Sequence, residues 1–184
     1  MSSLTDAITS LPAPSITLAL GGLTTAYVFF ANIGETQRGT IAYLNGRLGP
    51  VTLSDKERAK VWRGYFKPAA TWIISSSLTS TALNMTTSYL HKSPIISKIT
   101  FVAGMASLWI LPMTFFLGLP TINSRLLDLA QQDEGTANKI ITPKSDDEAK
   151  KLIKSWEEKH VIRFISYGAA WGLSLLAILL DGRV

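Results

Sequence analysis

Residues 109–123 read WILPMTFFLGLPTIN. The run is largely apolar, yet it carries two prolines, Pro112 and Pro120, eight positions apart. Proline inside a helix removes a backbone donor and clashes with the preceding turn, at about 3 kcal/mol in water. A helix in a membrane bundle tolerates this better, because hydroxyl side chains of neighbouring helices or ordered water can meet the freed carbonyls. The run therefore points to hydrocarbon as the solvent.

The rest of the sequence agrees. The hydrophobic fraction is 47% and the mean hydropathy +0.23, high for a chain with 17% charged residues. Residues 14–33, 68–90, 95–119 and 164–180 contain one charge between them, Lys98. A span needs about 20 largely apolar residues. The expected fold is all-α: a four-helix transmembrane bundle with helical extensions on the cytosolic side. It forms one domain over residues 1–184, with spans at about 14–33, 68–90, 95–119 and 161–180. Only Asp6 is charged before the first span, so the basic region of a signal peptide is missing and that span is expected to be retained. The second span holds ten Ser, Thr or Asn residues between Trp72 and Leu90. Such side chains bond the preceding turn and allow close helix approach, which places this span inside the bundle.

Fifteen Lys and Arg residues lie in segments 34–67 and 125–163, against Lys92, Lys98 and Arg183 elsewhere. The positive-inside rule then puts both long loops in the cytosol and both termini in a lumen, with the endoplasmic reticulum as the expected membrane. The formal charge of +5 is read as topology and contact with membrane lipid, not nucleic acid.

The chain has no cysteine, which excludes disulfides, thiolate nucleophiles and iron–sulfur clusters within it. His91 and His160 fall on opposite membrane faces in this topology, about 30 Å apart, which argues against a shared metal or haem site. Two S-x-x-E patterns, Ser54–Glu57 and Ser145–Glu148, read as helix starts. The first helix runs through Trp62 and Tyr65 past a kink at Pro68, and the second reaches Leu180. Pro112 and Pro120 are expected either to bend the third span and open a pocket, or to be kinks without a ligand.

Unusual side chains gather at the cytosolic span ends: Asn32, Glu35, Trp62, Tyr65, Asn123, Arg125, Trp156, His160 and Arg163. Trp156, His160 and Arg163 are spaced i, i+4, i+7 and share one helical face. An imidazole, a guanidinium and an indole on one stripe can take a proton, hold the resulting anion and stack on a flat substrate. The same residues also serve as ordinary headgroup-level anchors in many helices, and spacing leaves both open.

VWRGYFKPA (61–69), LPMTFFLGLPTINSRLL (111–127) and SWEEKHVIRF (155–164) resemble the three motifs of the anthrone oxygenase-like family of four-span membrane proteins. The first span departs from the pattern, with no proline near its end. The resemblance implies an activity without a cofactor: oxidation of an anthrone-type polycyclic phenol to a quinone by dioxygen, as in polyketide secondary metabolism. It also implies roles. His160, Arg163 and Asn123 would be catalytic, and Trp62, Tyr65, Trp156, Pro112 and Thr114 would bind the substrate. The partners implied are a lipophilic aromatic molecule and dioxygen. A homo-oligomer, a structural or assembly subunit of a membrane complex, and a non-oxidative isomerase or cyclase remain as alternatives.

Overall fold

The computed structural model describes Asp6, residues 10–131 and residues 147–184. Seven helices occur among the described residues: α1 (Ala13–Arg38), α2 (Thr40–Leu44), α3 (Asp55–Leu90), α4 (Pro94–Phe116), α5 (Leu119–Gln131), α6 (Glu148–Ile162) and α7 (Phe164–Leu180). The all-α class holds. Three helical stretches are long and apolar enough to cross a membrane: Ala13–Leu44, Pro94–Phe116 and Glu148–Leu180. The expected fourth, within α3, falls short by that measure because its hydroxyl and amide side chains lower its hydropathy.

The chain divides into two compact units. The first comprises residues 1–29, 74–110 and 165–184. Its four helical segments are joined by polar side chains. Ser80 Oγ lies 2.9 Å from Ser107 Oγ, and Ser174 Oγ donates to Asn84 Oδ1 at 3.2 Å. Thr87 Oγ1 donates to Thr17 Oγ1 at 2.8 Å, and Ser166 Oγ to the carbonyl of Ala106 at 2.5 Å. The polar face of α3 thus points inward, as its composition suggests: Ser77, Ser80, Asn84 and Thr87 are all buried. Gly21 lets α1 come close to Asn84, whose Nδ2 would stand 3.2 Å from an added Cβ. At one end of this unit Asp181 accepts from Ser15 Oγ at 2.9 Å and faces His91 Nε2 at 3.2 Å.

The second unit comprises residues 30–73 and 111–164. Leu119, Ile122, Leu126 and Leu129 of α5 and Ala149, Ile153 and Trp156 of α6 are spaced as one helical face each, and both faces are buried. They pack with Ile41, Leu44, Ala59 and Trp62 in one core. Charged groups lock the helix ends. Arg125 grips Glu148 through Nε at 2.7 Å and Nη2 at 3.1 Å. That bidentate pair holds the Arg125 guanidinium above its ordinary pKa. The Glu148 N–H, an open donor at the start of α6, is taken by Asp55 Oδ2 at 2.7 Å. Glu157 accepts from Asn45 Nδ2 at 2.6 Å and from Arg47, and buried Arg58 donates to the Leu44 carbonyl at the end of α2.

The Ser54–Glu57 capping box forms: Ser54 N–H donates to Glu57 Oε2 at 2.9 Å, and Glu57 N–H to Ser54 Oγ at 3.3 Å. α3 continues through Pro68 as one helix of 36 residues. The second box rests on Ser145, which falls within residues 132–146, outside the described residues. The single helix expected to reach Leu180 is interrupted at Arg163, whose N–H turns back to the His160 carbonyl at 3.0 Å. The two prolines differ from each other. Pro112 is inside α4, but α4 ends at Phe116 and the chain turns at Gly118 with φ +67. Pro120 then occupies the first turn of α5, where its missing N–H would have had no helical partner. It starts a helix instead of bending one.

Candidate functional site

All eight residues singled out from the sequence belong to the second unit. α3 supplies Trp62 and Tyr65, one turn apart, and α6 supplies Trp156 and His160, also one turn apart. Side chains at i, i+3 and i+4 lie above one another on a helix, so each helix presents a short aromatic column. The columns meet edge to face. Trp62 and Tyr65 stand at 81° and 88° to Trp156, with ring centroids 6.2 and 6.4 Å away. Trp156 then stacks on His160 at 4.7 Å and 10°.

Two further rings extend the ladder. Phe66 stacks on Trp62 at 4.5 Å, and Phe164 meets His160 edge-on at 5.6 Å. Sequence analysis did not single out either residue. Phe164 was nevertheless visible as the i+4 continuation of the Trp156–His160 stripe. The helix breaks at Arg163, yet Phe164 keeps its place on the ring.

His160 has a partner that sequence reading left unassigned. Its Nε2 lies 2.8 Å from Asn32 Oδ1, on the final third of α1, and both residues are buried. An amide oxygen only accepts, so Nε2 carries the proton and donates. In the neutral ring the lone pair is then on Nδ1. Asn32 was noted as an unusual residue at a span end, but nothing in local spacing links positions 128 apart.

The remaining residues contribute differently. Arg163 is 8% exposed at the junction of α6 and α7. Asn123, half-buried on α5, has a buried Oδ1 without a hydrogen-bond partner among the described residues, and so has the Nε1 of Trp62. Pro112 and Thr114 are half-buried on the last two turns of α4 and take no part in the ring contacts. Glu35 is engaged elsewhere, accepting from the Ile41 N–H at 3.3 Å with its carboxyl folded over Gly39. His91 belongs to the first unit. Among the described residues no group of three His, Cys, Asp or Glu side chains could hold a metal ion.

The family model described as anthrone oxygenase matches residues 62–173, more than half of the chain. The chain belongs to the anthrone oxygenase family. No curated protein and no solved structure matches it. The matched stretch opens at Trp62 and contains every site residue named from the sequence, whereas Asn32 lies before it.

Proposed function

We propose that this protein is a cofactor-free membrane oxygenase that converts an anthrone-type polycyclic phenol to a quinone with dioxygen. The observation that carries the proposal is the clamp on His160: one ring nitrogen donates to Asn32 and one ring face is covered by Trp156. Both rotation and tautomer are thereby set, as a positioned base requires.

His160 takes one proton from the methylene opposite the ketone. The carbanion, delocalised as a phenolate, passes one electron to dioxygen, and the radical pair closes a carbon–oxygen bond. The peroxide takes the proton back and loses water, leaving a carbonyl. The methylene and one dioxygen become one carbonyl and one water, so the substrate supplies all the electrons. Arg163 would hold the developing anion. The Oδ1 of Asn123 would accept a phenolic hydroxyl and the Nε1 of Trp62 would donate to a carbonyl, giving both unpartnered atoms a use. Half-buried Tyr65, Pro112 and Thr114 would border the substrate.

A second reading is favoured by a specific feature. Trp62 has no exposed surface and Trp156 is 5% exposed, so the rings already stack on one another. That suits a packing role in a membrane subunit. Dioxygen uptake by the purified protein with an anthrone decides between the two. Uptake with quinone formation supports the oxygenase, and its absence across a panel of anthrones, together with fixed-stoichiometry co-purification with a complex, supports the subunit. Anthrone turnover to an isomer without dioxygen uptake would indicate the non-oxidative enzyme.

The proposed location is the endoplasmic reticulum, with both long loops cytosolic and the termini lumenal. In sealed vesicles with the cytosolic side outward, a tag at either terminus is expected to resist protease. Cleavage of such a tag would reverse this orientation.

A further inference from the structure

The four helical segments of the first unit enclose a small cavity. Each segment lends it two residues three positions apart, which lie above one another on one helical face. Thr25 comes from α1, Ser77 and Ser80 from α3, Ser107 and Ile110 from α4, and Tyr167 from α7. These six are buried, none more than 3% exposed. The space has room for about one water molecule.

The hydrogen bonds around it do not close. Buried hydroxyls in these helices turn back on their own helix, as Thr87 does to the Leu83 carbonyl and Ser174 to the Ala170 carbonyl. Ser77 Oγ does not, and it has no hydrogen-bond partner among the described residues. Ser80 and Ser107 share one bond of 2.9 Å, so whichever of them donates, the other keeps a proton to give. Thr25 Oγ1 gives its proton to the Gly22 carbonyl at 2.9 Å and keeps its lone pairs. Among the described residues, the cavity wall therefore offers both spare donors and spare acceptors. An apolar guest would leave Ser77 unmet, and no carboxylate lines the cavity to hold a cation. A water, with protons to give and lone pairs to accept, meets both kinds of group.

We infer that this cavity binds one buried water, held by Ser77 Oγ, the spare hydroxyl of the Ser80–Ser107 pair and Thr25 Oγ1. The water completes the polar seam by which α3 packs inside the unit.

X-ray radiolysis of the full chain in phosphatidylcholine nanodiscs tests this, because a held water yields hydroxyl radicals in place and these oxidise the side chains beside it. Mass spectrometry of the peptides locates the oxidation. Ile110 lines the cavity, whereas Ile96, in the core of the same unit, does not, and both are buried. The wild type is expected to be oxidised at Ile110 and Tyr167 and to stay at background at Ile96. A radical scavenger in the bulk solution should leave that pattern unchanged, since the radical forms inside. Ser77→Val should abolish oxidation at Ile110 and Tyr167, because it removes the hydroxyl and puts methyl groups in the water's place. The wild-type measurement stands whether or not that variant folds. Background oxidation at Ile110 in the wild type, quenching by the scavenger, or undiminished oxidation in a folded Ser77→Val variant would each overturn the inference.

Discussion

His160 and Asn32, 128 positions apart, meet through one hydrogen bond of 2.8 Å between Nε2 and Oδ1. The bond fixes the ring of the proposed base from a helix that the family match does not cover. Asn32→Leu removes the amide oxygen that His160 Nε2 donates to, at about 1–3 kcal/mol of stability. Dioxygen uptake with an anthrone should fall on the order of 10²-fold through loss of orientation. Thermal unfolding in detergent and initial rates, each per folded protein, check the two effects. A wild-type rate in Asn32→Leu would remove the orienting role.

His160→Ala should lower the same rate by about 10²- to 10⁴-fold, the usual loss when a positioned base is removed. Arg163→Lys should also lose rate, since an ammonium lacks the planar donor fork of guanidinium. His91→Ala serves as the control. Its ring bridges Asp181 and the Ser93 N–H in the first unit, so the rate per folded protein should be unchanged. If His160→Ala keeps its rate, Tyr65 is the next candidate, because Glu35 is engaged at the start of α2.

The Asp181 cluster gives a pH-dependent stability. Hydrogen bonds from His91 and then Ser15 hold its carboxyl below the ordinary value. A carboxylate depressed in the folded state adds stability above its unfolded pKa, near 3.9, and that contribution is lost as pH falls through the lower folded value. The stability difference between wild type and Asp181→Asn should therefore be constant above about pH 5 and shrink below pH 4. A gap that widens on acidification would contradict this sign.

Gly21→Val should destabilise the first unit by roughly 1–3 kcal/mol, the usual cost of overpacking. Asn84 is tied to the Ser80 carbonyl at 2.9 Å and to Ser174, so it cannot easily move aside. Combining Gly21→Val with Asn84→Ala should cost less than the sum of the single changes, because the side chain that Val would strike is gone. Strict additivity in thermal unfolding would show that the contact is not the cause.

Local chemistry made much of this legible from sequence. Ser54 and Glu57 marked a helix start because their capping needs no tertiary partner. The Trp156–His160 stripe follows from helical spacing alone, and the inward polar face of α3 follows from its composition. Pro120 was misjudged because a proline in a first turn and one in a helix interior look alike until the break before it is known. Gly118, two residues earlier, was the local sign of that break. The partnership of Asn32 with His160 and the mutual stacking of the aromatic rings depend on which helices pack together, and spacing within one helix does not record that.

The hydroxyl-rich half of α3 bears on how the protein is made. Ser88 and Ser97 bond across the three-residue turn that joins α3 to α4, with Ser97 Oγ donating to the Ser88 carbonyl at 2.6 Å. A segment this polar gains little from hydrocarbon as a lone helix, whereas α4 is strongly apolar. For α3 to enter the bilayer its buried Ser77, Ser80, Asn84 and Thr87 need shelter at once. The translocon would then release α3 and α4 together as a hairpin, and a nascent chain truncated at Leu90 would leave its last segment on the aqueous side until α4 emerged.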